Sequence, residues 1–224
     1  MADAVPGWLT RDQGRLLHDE AVRLGPGSVA LEIGSHQGRS TIVLAAALVG
    51  RSSRLIAMDP FVEGRLFGGT PTRTKFEQHV REAGVADNVE LVPDYSTRAR
   101  PTWERPLDLL YIDGKHDYWT VSDDLRWAAH LPQDAAVLIH DAFSSIGVTL
   151  GLVRHVLGSR TLAYEGRAGS LALFRVRRPA ARDRLRMLAQ LPWWIRNVGI
   201  KVLLRLRLRP VARLFGHDSP YDPY

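Results

Sequence analysis

The 224-residue sequence predicts an α/β fold: a mostly parallel sheet covered on both faces, an antiparallel hairpin at one edge, and a basic C-terminal extension. Three observations carry this. Short apolar runs alternate with helical patterns, as right-handed crossovers between parallel strands require. The last two strand-like runs, TLAYE and LALFRV, instead follow one another across GRAGS, which reads as a hairpin. Charge is also uneven. From Arg175 onward twelve bases meet three aspartates, whereas the first 174 residues hold 18 bases and 21 acids.

Taken in order, Thr10 and Gln13 can form a capping box for a first helix carrying Leu16, Leu17, Ala21, Val22 and Leu24, which Gly25-Pro26-Gly27 ends. VALEI (29–33) reads as a buried strand, and Ser40-Thr41 opens the helix TIVLAAALVG. LIAM (55–58) is the second strand; a polar loop over 63–72 then leads to a helix near 73–83. NVELV (88–92), LDLLYI (107–112) and AVLI (136–139) complete the buried set, with a helix over 119–130 before the last. The hairpin closes the domain near Arg178-Pro179, so the expected division is 1–178 and 179–224.

Composition removes several functional classes. With no cysteine there is no disulfide framework, zinc-thiolate site or thiol nucleophile, which favours the cytoplasm. No run reaches the ~18 apolar residues of a membrane span, and the N-terminus lacks the pattern of a secretory signal. Arginine outnumbers lysine 27 to 3, which suggests a GC-rich, actinobacterial source.

In open sheets of this kind, ligands bind beyond the carboxyl ends of the strands. After the first strand comes EIGSHQG, in which Gly34 permits a tight turn and Gly38 a close approach of ligand to the helix start. The spacing is G-x-x-x-G, not the G-x-G-x-x-G of dinucleotide sites. Asp59 ends the second strand, where an acid can accept from both ribose hydroxyls; Asp94 follows the third, placed to meet an adenine or ribose edge. A plain loop or a solvated acid is the bland alternative at each place. The fourth strand ends in IDGKHDY and the fifth in IHDAF. If those strands are neighbours, Asp113 meets His140 and Asp141, a set able to hold Mg²⁺ with waters and a substrate oxygen. His116 is then near enough to take a proton from a hydroxyl, while Asp117 reads as a helix cap.

LEIGSHQGRST, the strand-end Asp59, YIDGKHDY and LIHDAF together resemble the class I S-adenosylmethionine-dependent methyltransferases. More narrowly they resemble the metal-dependent O-methyltransferases related to macrolide-sugar and cephalosporin-biosynthesis enzymes, over about residues 7–178. The resemblance implies a Rossmann-like seven-stranded methyltransferase sheet whose final strand is antiparallel. It implies that Glu32, Gly34 and Gly38, with Ser35 and Ser40 of the same segment, surround the methionine part of the cofactor. Asp59 would bind ribose, Asp94 would lie near the adenosine, and Asp113 would serve both cofactor and metal. Asp141 would be the second metal ligand and His116 the general base. Several relatives carry a carboxylate where this chain has His140, so that histidine is expected to ligate the cation or to act as a base. The implied reaction moves a methyl group from S-adenosylmethionine to a hydroxyl, with Mg²⁺ or another divalent cation fixing the oxygen. A sugar in a natural product, polysaccharide or glycolipid is the expected acceptor, and a catechol the alternative. Glu63–Thr72 and the surroundings of Trp8 and Phe143 are expected to line its pocket.

Two rival enzymes fit less well. An oxidoreductase lacks its glycine fingerprint here, and an amino-methyltransferase would place N/D-P-P-Y where this chain has DGKHDY; the terminal DPY at 222–224 is misplaced for that role. The other class is a membrane-surface or partner-binding protein acting through residues 182–215, where Arg, Leu and the pair Trp193-Trp194 suit anionic lipid at an inner membrane surface. The same segment could serve as an arm in a homodimer; nucleic acid is not the favoured partner. Leu-Arg alternation over 204–209 is compatible with a strand as well as a helix.

Overall fold

Alternating apolar runs and helices fold here into one sheet, described in a computed structural model over residues 2–64 and 68–219. Its strands are β1 (Val29–Ile33), β2 (Arg54–Met58), β3 (Val89–Val92), β4 (Leu109–Ile112), β5 (Ala136–Ile139), β6 (Leu162–Ala168) and β7 (Leu171–Val176). Their spatial order is β3-β2-β1-β4-β5-β7-β6, parallel except for β7, which runs antiparallel to both β5 and β6. The expected edge hairpin is therefore present. NVELV, read as a buried strand, is only half buried, because β3 forms an edge and has β2 alone as a neighbour.

The helices are α1 (Arg11–Val22), α2 (Arg39–Leu48), α3 (Gly69–Glu82), α4 (Ser96–Ala99), α5 (Tyr118–Asp124) and α6 (Ile146–His155), then α7 (Ala181–Leu188), α8 (Leu191–Arg205) and α9 (Arg209–Leu214). Thr10 and Gln13 form the expected capping box of α1. Helix α3 begins four residues earlier than its pattern suggests. Pro71 falls in its first turn, where a missing N–H costs nothing, so the Gly-Thr-Pro that reads as loop is helical. The helix expected over 119–130 is α-helical only to Asp124 and continues as a 3₁₀ turn to His130. Apolar side chains pack on both faces of the sheet, one group around Leu110, Trp127 and Phe174, the other around Leu44, Leu55 and Tyr111.

Residues 204–209 do not form a strand. Helix α8 runs to Arg205, Arg207 takes a left-handed φ of 60°, and Pro210 helps start α9. Nor do Trp193 and Trp194 point outward. Both pack against the core, with the Arg167 guanidinium 3.8 Å above the Trp193 ring. Among the described residues no helix is long and apolar enough to cross a membrane.

Candidate active site

Register decides where the site forms. Ile33 pairs with Met58 on one side and Ile112 on the other, and Ile112 pairs with Ile139. The next residues, Gly34, Asp59, Asp113 and His140, therefore leave the sheet in one row. The strand order reverses between β1 and β4, the switch point at which open α/β sheets bind ligands. A cavity of about 750 Å³ lies there, within the usual size of small-molecule sites. Its walls include Gly34, Ser35, Asp59, Tyr95, Asp113 and His116, with Trp8 from the N-terminal segment.

Gly34 is required by its position. Its φ is +88°, and a Cβ there would overlap the carbonyl of Asp113, so the loops after β1 and β4 touch only because the side chain is absent. The carboxylate of Asp59 organises the same loop, accepting from the amides of Ser35 (3.0 Å), His36 (2.9 Å) and Phe61 (2.8 Å). It remains on the cavity wall, and carboxylate oxygens that accept from amides keep further lone pairs for a diol.

Other expected cofactor residues stand elsewhere. Glu32 is fully buried behind the wall, where the hydroxyls of Ser40 and Thr41 donate to it; burial raises its carboxyl from 4.5 to about 7 despite those bonds. Ser40 itself reaches the cavity. Gly38 (φ +91°) is outside the lining and faces the Phe76 ring, 3.2 Å from where a Cβ would lie. Asp94 is likewise outside the lining and pairs with Arg98 at 3.2 Å; its successors Tyr95 and Ser96 form the wall.

The two strand ends do converge. His116 Nδ1 lies 2.9 Å from Asp141 Oδ2 and its Nε2 3.5 Å from Asp113 Oδ1. His140 Nδ1 sits between Asp113 Oδ1 at 3.2 Å and Asp141 Oδ1 at 3.7 Å. Tyr111 and Ser144 hydroxyls donate to Asp113 and Asp141, each at 2.9 Å. Burial opposes both carboxylates, but the facing imidazoles outweigh it and hold them below their usual range. Burial also pulls His116 down, yet Asp113 and Asp141 outweigh it and raise the imidazole to about 10. Asp113 and His116 face the cavity, whereas His140 and Asp141 lie behind them, 4% and 3% exposed.

The chemistry around His140 tests whether a cation suits this cluster. Gln13 Oε1 accepts from the Thr10 amide and Gln13 Nε2 donates to Ser170, which fixes the amide's orientation. The same oxygen lies 3.4 Å from His140 Nε2, so that nitrogen carries the hydrogen. Nδ1 then turns a lone pair toward two carboxylates and has no hydrogen-bond partner. Positive charge is needed there, either a proton on the ring or a cation shared by imidazole and carboxylates. Among the described residues no three His, Asp or Glu side chains are set out as a metal-holding group, since the carboxylates are turned onto the imidazoles. The donor types, two carboxylates and one imidazole, nevertheless fit a divalent cation.

Sequence reading passed over several residues of this region. His36, Tyr95, Ser96 and Asp124 line the cavity. Asp124 receives the Ser96 hydroxyl, and burial raises it from 3.8 to about 7. Tyr95 and Ser96 follow a strand end and could have been found by looking one step further; Asp124 lies within a helix and carries no signal. Phe143, expected near the acceptor, is instead fully buried against Tyr164. Of the stretch Glu63–Thr72, Gly68 lines the cavity, while residues 65–67 lie outside the described residues, as do 222–224.

A family model described as a methyltransferase domain matches residues 31–142, which include the end of β1, the Gly34 turn, Asp113 and Asp141. Solved structures share the fold. The cofactor-bound Rv0187 protein from MTB is 21% identical, with 79% of this chain and 86% of that one covered and a TM-score of 0.62. The O-methyltransferase TomG from Streptomyces achromogenes, solved with SAM, is 23% identical over 76% and 82%, TM-score 0.60. An O-methyltransferase from Bacillus cereus, solved with SAH, is 18% identical over 79% and 86%, TM-score 0.60.

Proposed function

Because the chain belongs to the methyltransferase-domain family, we propose that it transfers a methyl group from S-adenosylmethionine to a hydroxyl of a sugar-containing acceptor, assisted by Mg²⁺ or a similar cation. The observation that carries this reading is the convergence of four side chains at the switch-point cavity, Asp113 and His116 on its wall with His140 and Asp141 directly behind them. Asp59 is suited to a ribose diol, since it sits at the end of β2 beside the Gly34 turn. Asp113, Asp141 and His140 would hold the cation, which when bound polarises a hydroxyl oxygen and lowers its pKa.

Of the two histidines, His116 is the one exposed to the cavity; a cation held by Asp113 and Asp141 would offset the two carboxylates that raise its imidazole, freeing it to take the acceptor proton as general base. Asp141, 2.9 Å from its Nδ1, orients the ring and stabilises the imidazolium that forms. The remaining acceleration comes from alignment: cavity walls that hold donor and acceptor in line reduce the entropy still to be lost at the barrier. A vicinal diol, as on a sugar, offers two adjacent oxygens to such a cluster, and resemblance to sugar-modifying enzymes favours this acceptor over a catechol.

Calorimetric titration with S-adenosylhomocysteine, with and without Mg²⁺ and again for Asp113→Ala, tests the reading. Binding by the wild type followed by Mg²⁺-dependent methylation in a panel of sugar and catechol acceptors supports it. Absence of nucleoside binding in every condition refutes the cofactor assignment, and Mg²⁺-independent turnover refutes the cation.

A further inference from the structure

Helix α8 is apolar on two opposite faces. Its inner row, Trp193, Asn197, Ile200 and Leu204, recurs at i, i+4, i+7 and i+11; Ile200 is buried, and Asn197 donates to the buried carbonyl of Phe143 at 3.2 Å. A second row, Ile195, Gly199, Val202 and Leu206, has the same spacing two residues on, roughly 200° around the helix. That row is exposed, with Ile195 at 64% and Leu206 at 62%. An amphipathic surface helix turns one apolar stripe to its core and polar groups outward, so a second uncovered stripe points to a further contact.

The rest of the tail extends this surface. After the turn at Arg207, α9 folds back until Arg196 Nε donates to the carbonyl of Phe215 at 2.8 Å. Leu214 (84% exposed) and Phe215 (55%) thus stand on a segment that Arg196 ties back to α8. Between Ala181 and Phe215 nine bases accompany one acid, Asp183, and that acid is taken up by Arg177 and the Ala180 amide. In helical projection Lys201 and Arg205 flank the outer row on one side and Arg196 on the other.

We propose that the outer face of α8 and α9 docks on an anionic lipid surface, with Ile195, Val202, Leu206 and Leu214 entering the headgroup boundary and the neighbouring arginines meeting lipid phosphates. Apolar residues bordered by bases are the composition that binds such interfaces. Charge argues against a second copy of this chain, because a two-fold contact through this face would oppose two surfaces of the same sign. A nucleic acid would neutralise the arginines but leave the apolar row in water.

Flotation of the full-length protein with vesicles tests this, using phosphatidylcholine alone and with roughly one part in three phosphatidylglycerol. The protein should float with the anionic vesicles only. Replacing Arg205 and Arg207 by glutamine should weaken partitioning by roughly 30-fold, at about fivefold per charge. Val202→Asp with Leu206→Asp should abolish it, with unchanged melting and unchanged S-adenosylhomocysteine affinity. No flotation with anionic vesicles, equal flotation with neutral ones, or flotation indifferent to both pairs of substitutions overturns the proposal. A concentration-dependent dimer lost in Val202→Asp with Leu206→Asp, or retention on RNA or DNA without flotation, assigns the face to that partner and overturns it too.

Discussion

Gln13 Oε1 approaches His140 Nε2 at 3.4 Å, linking the capping box of α1 to the end of β5 across 127 residues. A residue that reads as a helix cap thus also sets the tautomer of a histidine in the candidate metal cluster. Partners in that relation to metal ligands typically change affinity 10–100-fold when removed. Gln13→Leu should lower divalent-cation affinity by roughly that factor in a competition titration with a fluorescent chelator. It should also lose about 1 kcal/mol of stability through the cap. An unchanged cation affinity would mean that the cap is the only role of Gln13.

The two histidines should separate kinetically. His116→Ala removes the base facing the cavity and should lower kcat by roughly 10²–10⁴-fold with little change in cation affinity. His140→Ala should act first on the cation, so that raising Mg²⁺ restores part of the rate. The opposite pattern would exchange the two assignments.

Buried Glu32 gives a stability signature. Its carboxyl is ordinary in the unfolded chain, at 4.5, and is raised to about 7 by burial in the fold. Between those values the folded protein keeps a proton that the unfolded chain has released. This contribution to stability therefore falls as pH rises through the window and levels off above 7. Glu32→Gln cannot ionise, so the wild type should lose roughly 3 kcal/mol relative to it between pH 4 and 8. Urea melts at several pH values measure the difference, and parallel curves would remove Glu32 as its source.

Gly34→Ala should be costly twice over, through its φ of +88° and through overlap with the Asp113 carbonyl. A loss of on the order of 2 kcal/mol or more is expected, together with loss of S-adenosylhomocysteine binding by calorimetry. A variant that melts and binds like the wild type would show that the two loops can separate freely.

Much of the scaffold was legible because its signals are local. Buried runs such as VALEI and AVLI have a period and length that little else produces, and looking beyond the strand ends led to Asp59 and Asp113, which line the cavity, and to His140, which lies behind it. What failed depended on neighbours. The half-burial of β3 follows from its place at an edge, which the strand's own residues do not encode. The inward turn of Trp193 depends on Arg167, 26 residues earlier in the chain. Glu32 and Ser35 are three residues apart in one motif, yet one is sealed behind α2 and the other lines the cavity, because side chains along a strand alternate in direction and the turn then reorients them.

The row formed by Ile33, Met58, Ile112 and Ile139 divides the labour of change within the molecule. Everything anchored at its next step is locked to sheet register, where a one-residue slip would invert the faces of a whole strand. The walls around Trp8 and Gly68 hang on connecting segments with no such constraint. On the proposed function, drift in those segments alone would change what the cavity admits while Gly34, Asp59 and Asp113 stay fixed: a chassis that can be re-tooled without rebuilding its engine.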